Sequence, residues 1–448
     1  MLLIRGRMVV PMDAARTVIP GGGVLVEDGR ISAVGEGAAL AATPGITRTI
    51  TVDRHVVLPG LVNAHNHTFQ TLYRGLGRDR ALADWSARTI FPLSWWLTRR
   101  EANAGARLAC LEMMTTGTTT FVDSHYIHVD PDTFDGVAEA VVASGLRALL
   151  GRAAADGPAV PENFREQPAD AVRAVERAVE RWHGAGAARI QVRPEALSER
   201  TATVEMIKAM SEAGRRLGTG FNMHLAESEH GVAHVRETFG CSPLRLLERL
   251  GATGPDVLLA HCVWLDEPDL EIVARTGTRI AHNPVSNQYL AVGVAPLTQM
   301  LAHGAVVGLG TDGAASNNSL DMFGVMKTCG LLQKVTARAA AAVPAERIVA
   351  MATIDGAQAL GLADEIGSLE PGKRADIIAV RLDRPEMVPL HSIHESLVYS
   401  ALAGGVDCVM VDGRVLVEDG RVRVMDADAV MAEAAAAGEH LRRQAGLV

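Results

Sequence analysis

The stretch that decides the fold is Leu58-Pro59-Gly60-Leu61-Val62-Asn63-Ala64-His65-Asn66-His67, an apolar run with a turn at Pro59-Gly60 that ends in two histidines. Side chains alternate between the two faces of a β-strand, so residues two apart point the same way. His65 and His67 are therefore predicted to direct two imidazoles towards one point. Two polar residues that merely cap a strand are the alternative, and this pair alone does not decide between them.

Outward from this stretch, short apolar runs alternate with amphipathic helical stretches from residue 58 to residue 365. Such alternation is typical of repeated strand–helix units and a parallel sheet. The candidate strands number eight, as a closed (β/α)8 barrel requires. They are Leu58–His65, Thr118–Asp123, Arg147–Gly151, Arg189–Arg193, Gly220–His224, Val257–His261, Thr278–His282 and Val306–Thr311.

The two ends of the chain have a different pattern of predicted secondary structure. Short predicted strands, punctuated by glycine-rich and Asp-Gly turns, fill residues 1–57 and return within residues 366–448. The predicted fold class is therefore α/β: a TIM-type (β/α)8 barrel over residues 58–365 with a small β-sandwich built from both chain ends. Residues 1–57 are expected to form the first part of this sandwich, and residues 366–448 its second part and a C-terminal helix.

The composition and net charge of the chain limit the kinds of molecule that it is expected to bind. The 448 residues carry a formal net charge of −9 and contain no run of lysine and arginine, which argues against nucleic acid or an anionic membrane as partner. A small uncharged or cationic substrate fits better. The five cysteines are scattered and never in Cys-x-x-Cys spacing, so we expect neither disulfides nor a cysteine zinc site. We expect a cytoplasmic protein without signal peptide or membrane span, and a homo-oligomer, either a dimer or a tetramer.

Five of the predicted strands end in residues that can bind a metal or move a proton. Any one of them could be a core histidine or a helix cap, but five strand ends meeting on one barrel face indicate a functional site. The residues are His65 and His67 after strand one, His224 and Glu227 after strand five, His261 after strand six, His282 after strand seven and Asp312 after strand eight.

Three histidines and one carboxylate suit a borderline-soft divalent ion, with a water completing the shell. We predict that His65, His67, His224 and Asp312 bind one ion per chain, Zn²⁺ in the first place and Fe²⁺ as the alternative. The predicted fourth strand, Arg189–Arg193, contains no lysine. A bridging carbamylated lysine and a second metal are therefore not expected.

The remaining polar residues suggest hydrolytic chemistry. Glu227 lies three residues beyond a predicted ligand, where it can take the proton of a metal-activated water and deliver it to a ring nitrogen or a leaving amine. Its alternative role is that of a solvated acid at a helix start. Asp312 is a candidate second base, and His261 is predicted to hydrogen-bond the water or a developing oxyanion.

The order of these motifs resembles that of the amidohydrolase superfamily, in its mononuclear deaminase and triazine-hydrolase branch. The resemblance implies the barrel, the two-ended sandwich, the four ligands, and Glu227, His261 and Asp312 as the hydrolytic machinery. It thus implies a metal-dependent aminohydrolase that adds hydroxide to an amino-substituted ring carbon and releases ammonia. The motifs include Pro59 to His67, His224-Leu225-Ala226-Glu227, Ala260-His261-Cys262, Gly310-Thr311-Asp312-Gly313 and Pro371-Gly372-Lys373-Arg374-Ala375-Asp376.

Two substrate classes stay open. The chain is similar to the melamine deaminase and atrazine chlorohydrolase group through Val285-Ser286-Asn287-Gln288-Tyr289-Leu290, and to the methylthioadenosine and S-adenosylhomocysteine deaminases through Asp312-Gly313-Ala314-Ala315-Ser316-Asn317-Asn318. The nucleoside branch has a ribose-binding glutamate where this chain has Ser94, and a base-contacting histidine where it has Glu195.

These departures favour a free aminoheterocycle, an s-triazine or a guanine-like ring, as substrate. Nucleoside deamination and triazine dechlorination are the alternatives within the superfamily. A non-catalytic, metal-stabilised barrel that binds a metabolite is the alternative from a different class. The predicted substrate contacts are Gln70, Trp85, Glu195, His282 and Ser316.

Overall fold

The computed structural model describes residues 1–447. The strands in this range, in chain order, are β1 (Leu2–Val9), β2 (Ile19–Pro20), β3 (Gly22–Glu27), β4 (Arg30–Glu36), β5 (Arg48–Pro59), β6 (Leu61–Asn66), β7 (Thr118–His125), β8 (Arg147–Ala154), β9 (Ile190–Ser198), β10 (Phe221–Leu225), β11 (Val257–His261), β12 (Arg279–His282), β13 (Val307–Leu309), β14 (Ile377–Arg381), β15 (Val406–Val411), β16 (Arg414–Glu418) and β17 (Arg421–Val422).

The α-helices in the same range are α1 (Gly37–Leu40), α2 (Leu82–Trp85), α3 (Phe91–Ser94), α4 (Arg99–Thr115), α5 (Thr133–Ser144), α6 (Pro168–Trp182), α7 (Ala185–Ala188), α8 (Val204–Leu217), α9 (Glu229–Phe239), α10 (Pro243–Arg249), α11 (Glu267–Thr276), α12 (Pro284–Tyr289), α13 (Leu297–Ala302), α14 (Ala314–Asn317), α15 (Met322–Ala337), α16 (Ala345–Met351), α17 (Ile354–Leu360), α18 (Ile393–Tyr399) and α19 (Ala427–Gln444). None of these helices is both long enough and apolar enough to cross a membrane.

Strands β6 to β13 form the barrel and pair in parallel, each with its neighbours along the chain. The last strand lies beside the first, and hydrogen bonds just beyond β13 join the two. The backbone N–H of Asp312 donates to the carbonyl of His65 at 2.9 Å, and that of Thr311 donates to Oδ1 of Asn63 at 3.0 Å. The predicted fold class is confirmed, and this closure brings the two ends of the barrel sequence together at the carboxyl-terminal face.

The second sheet takes strands from both ends of the chain, as predicted. Its nine strands are hydrogen-bonded as one continuous mixed sheet in the order β17-β16-β15-β14-β5-β1-β3-β4, with β2 attached to β1. Strand β5 runs to Pro59 and pairs with β14, so Leu58 lies opposite Ile378. The first barrel strand therefore begins at Leu61 rather than at Leu58, immediately after Gly60.

A buried ion-pair network joins the barrel to the mixed sheet. Arg147 begins β8, and its guanidinium contacts Asp376 at 3.0 Å and Asp412 at 2.6 Å. The side chains of Arg147 and Asp376 are only 6% and 2% exposed. Because these charges are desolvated, loss of Arg147 leaves the buried carboxylate of Asp376 without its counter-ion.

We expect Arg147→Met to lower the free energy of unfolding by about 3 to 5 kcal/mol, because Asp376 then stays buried without its counter-charge. The measurement is urea denaturation followed by circular dichroism. Arg443→Met is the matched control, since the Arg443 side chain is 74% exposed in its pair with Glu439. Equal unfolding midpoints for the two variants would contradict a stabilising role for the network.

Candidate active site

Four polar side chains meet where β6, β10 and β13 end. His65 lies on β6, and His67 directly follows that strand and points the same way, as strand alternation predicts. His224 lies on β10, and Asp312 follows β13. Asp312 Oδ1 lies 3.3 Å from Nε2 of His67 and 3.7 Å from Nε2 of His65. The Nε2 atoms of His67 and His224 are 3.3 Å apart. All four side chains are buried, with exposures of 3 to 7%.

Backbone carbonyls fix the orientation of two of these imidazoles. Nδ1 of His67 donates to the carbonyl of Ser124 at 2.6 Å, and Nδ1 of His224 donates to that of Leu197 at 2.8 Å. A carbonyl oxygen can only accept, so each Nδ1 carries a proton and each ring turns its Nε2 towards the centre. Imidazole nitrogens and a carboxylate that converge in this way suit a divalent cation.

The electrostatics agree with this donor set. Burial, with the nearby imidazoles of His224 and His67, lowers the pKa of His65 well below its usual value, so the ring is neutral and can act as a ligand. Its buried Nε2 has no hydrogen-bond partner in the protein. Burial alone raises the pKa of Asp312, but its contact with His67 and the nearby imidazoles of His261 and His65 outweigh this rise. The net pKa is well below normal, and Asp312 is a carboxylate.

Two further side chains reach the same centre. His261 ends β11, and its Nδ1 hydrogen-bonds Oδ1 of Asn287 at 2.9 Å. Its Nε2 faces Oδ2 of Asp312 at 4.0 Å. Glu227 follows β10, and its Oε1 lies 3.9 Å from Nδ1 of His261. The Glu227 side chain is 14% exposed, which leaves it more accessible than the buried histidines.

The backbone is strained at three of these strand ends. Ala226, His261 and Asp312 have φ angles of +48°, +74° and +60°, a region that non-glycine residues occupy at an energetic cost. Each turn redirects the chain directly beside a predicted site residue. Strained backbone of this kind gathers at functional sites because the surrounding structure must hold it there.

The pocket above these groups is partly covered by residues 82–94, which we call the covering segment. It consists of α2, a π-helical turn from Ser86 to Ile90, and α3. Trp85 is anchored by its Nε1, which donates to the carbonyl of Ala315 at 3.1 Å. The covering segment contributes Leu82, Trp85, Ser86, Ile90 and Phe91 to the pocket wall. Trp95 and Trp96, just beyond it, are about 40% exposed.

Of the predicted substrate contacts, only Trp85 lines the pocket; Gln70, Glu195, His282 and Ser316 are buried beside it. Gln70 donates to the hydroxyl of Tyr126 at 2.7 Å, and Ser316 donates to the carbonyl of Gly313 at 3.1 Å. His282 forms no hydrogen bond through either ring nitrogen. Their direct contact with substrate stays a prediction that the geometry does not favour.

Glu195 has a different position from the one expected. Its Oε1 accepts a hydrogen bond from Ser124 Oγ at 2.5 Å and lies 3.5 Å from Nδ1 of His224. Ser124 in turn holds His67 through its carbonyl. Glu195 therefore sits behind two predicted ligands and supports their orientation, as groups around metal ligands commonly do.

Several wall residues were not predicted from the sequence. They are Leu82, Ser86, Ile90, Phe91, Tyr126, Leu197, Ser198, Arg200, Thr201 and Leu290. Tyr126 directly follows β7, and Leu197 and Ser198 end β9, so their places after barrel strands were an available signal. The covering segment gave no such signal, because it lies in the connection between β6 and α4.

A family model described as "Amidohydrolase family" matches residues 56–416. The chain is 41% identical over 433 residues to a 5-methylthioadenosine/S-adenosylhomocysteine deaminase of Desulforudis audaxviator, covering 97% of each protein. It is 38% identical over 441 residues to a 5'-deoxyadenosine deaminase of Methanosarcina mazei, covering 98% of each.

Among solved structures, the chain is similar to an adenosine deaminase from Xanthomonas campestris with bound zinc. The TM-score is 0.93 at 30% sequence identity, and the match covers 99% of this chain and 98% of the other. The similarity therefore extends over the barrel, the mixed sheet and the strand ends that carry the histidines.

Proposed function

The chain belongs to the amidohydrolase family, and from this premise we propose that it is a metal-dependent deaminase of adenosine-type nucleosides. Membership and the deaminase relatives make it a hydrolase that acts on carbon–nitrogen bonds. In the proposed reaction water adds to the amino-bearing carbon of the purine ring. The carbon–amine bond then breaks, the ring keeps the oxygen as a carbonyl, and ammonia leaves.

The observation that carries the proposal is the meeting of six side chains at one centre on the barrel face, in a chain 38 to 41% identical to nucleoside deaminases along nearly its whole length. His65, His67, His224 and Asp312 are the proposed ligands of one divalent ion, and zinc is the proposed metal because a similar solved structure holds zinc. A divalent ion at these four residues would act as a Lewis acid and bring the pKa of a water towards neutrality.

Glu227 is the proposed proton carrier. It reaches the pocket as the less buried of the two acidic groups there. It would accept one proton of the attacking water and deliver it to a ring nitrogen, and then take the second proton from the added oxygen and deliver that one to the leaving amine. Because the same carboxyl both takes and returns the proton, the reaction needs no further acid.

His261 is proposed to stabilise the oxygen that adds to the ring. The hydrogen bond from Nδ1 to Asn287 fixes the ring, so Nε2 faces the centre where negative charge develops. Asp312 is proposed to serve as ligand and as a second hydrogen-bond acceptor for the attacking water. Its low pKa keeps it in the charged form that both tasks require.

A free aminoheterocycle such as an s-triazine or guanine-like ring is the second candidate. It is favoured by one observation: the covering segment presents no carboxylate to the pocket. Ser94, at the position where the nucleoside branch is expected to carry its ribose-binding glutamate, is buried and bonded to the Tyr73 hydroxyl at 3.2 Å. The comparisons nevertheless support the nucleoside alternative better, since both named relatives act on adenosine derivatives.

We expect kcat/KM for at least one adenosine-type nucleoside to exceed that for every free heterocycle by about tenfold or more. This is a margin that hydrogen bonds to the correct substrate can supply. Ammonia release is measured with 5'-methylthioadenosine, S-adenosylhomocysteine, 5'-deoxyadenosine, guanine and melamine on one preparation. A preference for guanine or melamine over all three nucleosides would overturn the proposal and restore the free-heterocycle candidate.

A further inference from the structure

A cavity lies at the end of the barrel opposite the candidate active site, where the barrel meets the mixed sheet. Its volume is about 190 Å³, and its wall includes residues at the starts of β8 and β9. The proposed reaction gives this cavity no task, because the proposed ligands lie at the other ends of the barrel strands. Its polar wall residues are Arg147, Arg189, Gln191, Glu365 and Arg374.

Arg189, which directly precedes β9, has no hydrogen-bond partner in the protein. Its side chain is only 14% exposed, yet within residues 1–447 the guanidinium donates no hydrogen bond, and its Nε is buried. The carboxylate of Asp412 stands 3.8 Å away and is shared with Arg147. Because buried polar groups are normally paired, a largely buried guanidinium with five unused N–H donors indicates an acceptor from outside the chain.

The other donors around the cavity are only partly used. Arg147 donates from Nε and Nη2 to its two aspartates, and Arg374 donates from Nε to Glu365 and from Nη1 to Asp412. In the part of the chain that the structure describes, the remaining terminal nitrogen of each arginine donates to no residue, and the amide of Gln191 forms no hydrogen bond. Unused donors on several side chains therefore border one cavity.

The charges around the cavity do not balance. Arg30 contacts Glu365 at 3.0 Å and joins the three wall arginines, so four guanidinium groups face three carboxylates. Burial lowers the pKa of Arg189, Asp412 raises it, and two nearby guanidinium groups lower it again, which leaves a net lowering. Positive charge here exceeds its counter-charge, and a bound anion would offset the excess.

The backbone beside Arg189 is held in a costly conformation. Ala187 and Ala188 have φ angles of +58° and +63°, a region that non-glycine residues occupy only under constraint, and Ala188 is part of the cavity wall. Strain of this kind gathers at ligand-binding positions because the surrounding structure must maintain it. The turn fixes where β9 begins and therefore where Arg189 lies.

We propose that this cavity binds a phosphate group through Arg147, Arg189, Arg374 and Gln191. Guanidinium groups match phosphate oxygens with pairs of N–H donors, and tetrahedral oxygens accept from donors on several sides. A volume of about 190 Å³ is several times the share of one water, about 30 Å³, and admits an ion of five heavy atoms. The bound phosphate ties the starts of β8 and β9 to the mixed sheet.

A purely structural role for these arginines makes a different prediction. If they served only to pair with the carboxylates between barrel and sheet, phosphate would act on the protein as any other salt does, through screening alone. Loss of Arg189 would then change the melting temperature by the same amount in phosphate and in chloride.

The experiment measures phosphate binding to the metal-loaded protein by calorimetry, and its melting temperature in phosphate and in chloride at equal ionic strength. The variants are Arg189→Gln and Arg189→Lys. Arg421→Gln is the matched control, because it removes the same charge from an exposed position on β17 of the mixed sheet. Ribose 5-phosphate tests an organic phosphate as the source of the group, and acetate tests a carboxylate.

We expect phosphate at about a hundred times its dissociation constant to raise the melting temperature of the parent by about 2 to 4 °C above the value in chloride. Arg189→Gln should weaken phosphate binding by about tenfold to a hundredfold, the scale of a lost charge-assisted hydrogen bond. Arg189→Lys should restore part of the loss. Arg421→Gln should bind phosphate as the parent does.

A parent that does not bind phosphate would overturn the proposal, and so would equal binding by the parent and Arg189→Gln, which would place the ion elsewhere. Tighter binding of acetate than of phosphate would overturn it in favour of a carboxylate site. The tighter of inorganic phosphate and ribose 5-phosphate identifies the source, and either order supports the proposal. If Arg189→Gln does not fold, Gln191→Leu replaces it: binding weakened several-fold supports the site, and unchanged binding refutes it.

Discussion

Changing Glu227 to glutamine should slow ammonia release by about a hundredfold or more while the bound metal and the fold are retained. Glutamine has nearly the same shape as glutamate but cannot accept a proton from water or return it to the leaving amine. Glu227 is not among the proposed ligands, and it lies on the turn between β10 and α9 rather than in the core. The measurements are steady-state kinetics and elemental analysis on the same sample.

Glu229→Gln is the matched control for this change. Glu229 lies two residues further on, is exposed in the first turn of α9, and does not line the pocket. It should leave turnover and metal content as in the parent. Near-normal activity of Glu227→Gln would assign proton transfer to another group, with Asp312 as the remaining carboxylate in the pocket.

The double variant His65→Ala, His67→Ala should lose the metal and with it all activity above background. The parent should carry about one divalent ion per chain, because three imidazoles and one carboxylate converge at a single centre and such donors suit one divalent ion. Removing both histidines at the end of β6 leaves His224 and Asp312, and two ligands hold a divalent ion only weakly. Elemental analysis after dialysis against a metal-free buffer measures the loss.

A second double variant, His230→Ala with His234→Ala, removes the same number of imidazoles from the exposed face of α9. It should keep about one equivalent of metal and full activity. Circular dichroism of both double variants shows whether the fold survives. A full equivalent of metal retained by a folded His65→Ala, His67→Ala protein would refute the proposed ligand set.

The barrel could be predicted from the sequence because its alternation of strands and helices is regular. Strand β11 has the bounds that the hydrophobic pattern predicts, Val257–His261. The start of the first barrel strand was harder to predict from the sequence. Leu58 and Pro59 are as apolar as the residues that follow, but they pair with β14, and no local pattern reveals which sheet an apolar residue joins.

The bounds of β9 decided how well the site could be predicted. The sequence suggested a strand that ends at Arg193, which places Glu195 on the loop above the barrel and near a substrate. The strand continues to Ser198, so Glu195 lies within the barrel wall behind His224, and Arg200 takes the place near the mouth. The buried Ser124 hydroxyl and His224 imidazole beside Glu195 explain this, and both are distant in sequence.

The substrate was the least predictable property. The preference for a free heterocycle rested on Ser94 and Glu195, and neither side chain lines the pocket. The pocket wall comes instead from the covering segment and from residues just after β9, whose arrangement depends on packing against Ala315 and other distant parts of the chain. Strand ends can be located from a hydrophobic pattern, whereas the loops that shape a pocket follow no such period.

The contact between the ends of β13 and β6 means that the proposed metal site is complete only after the whole barrel has been synthesised and has closed. Asp312 donates its backbone N–H to His65 at 2.9 Å, so the same two residues close the barrel and carry proposed ligands on both sides of the closure. A chain emerging from the ribosome displays all three histidines before Asp312 exists. An ion that binds only the closed form adds its binding free energy to folding. If the proposed ligands bind an ion, finished chains without metal should be less stable where β13 meets β6 than chains that hold it.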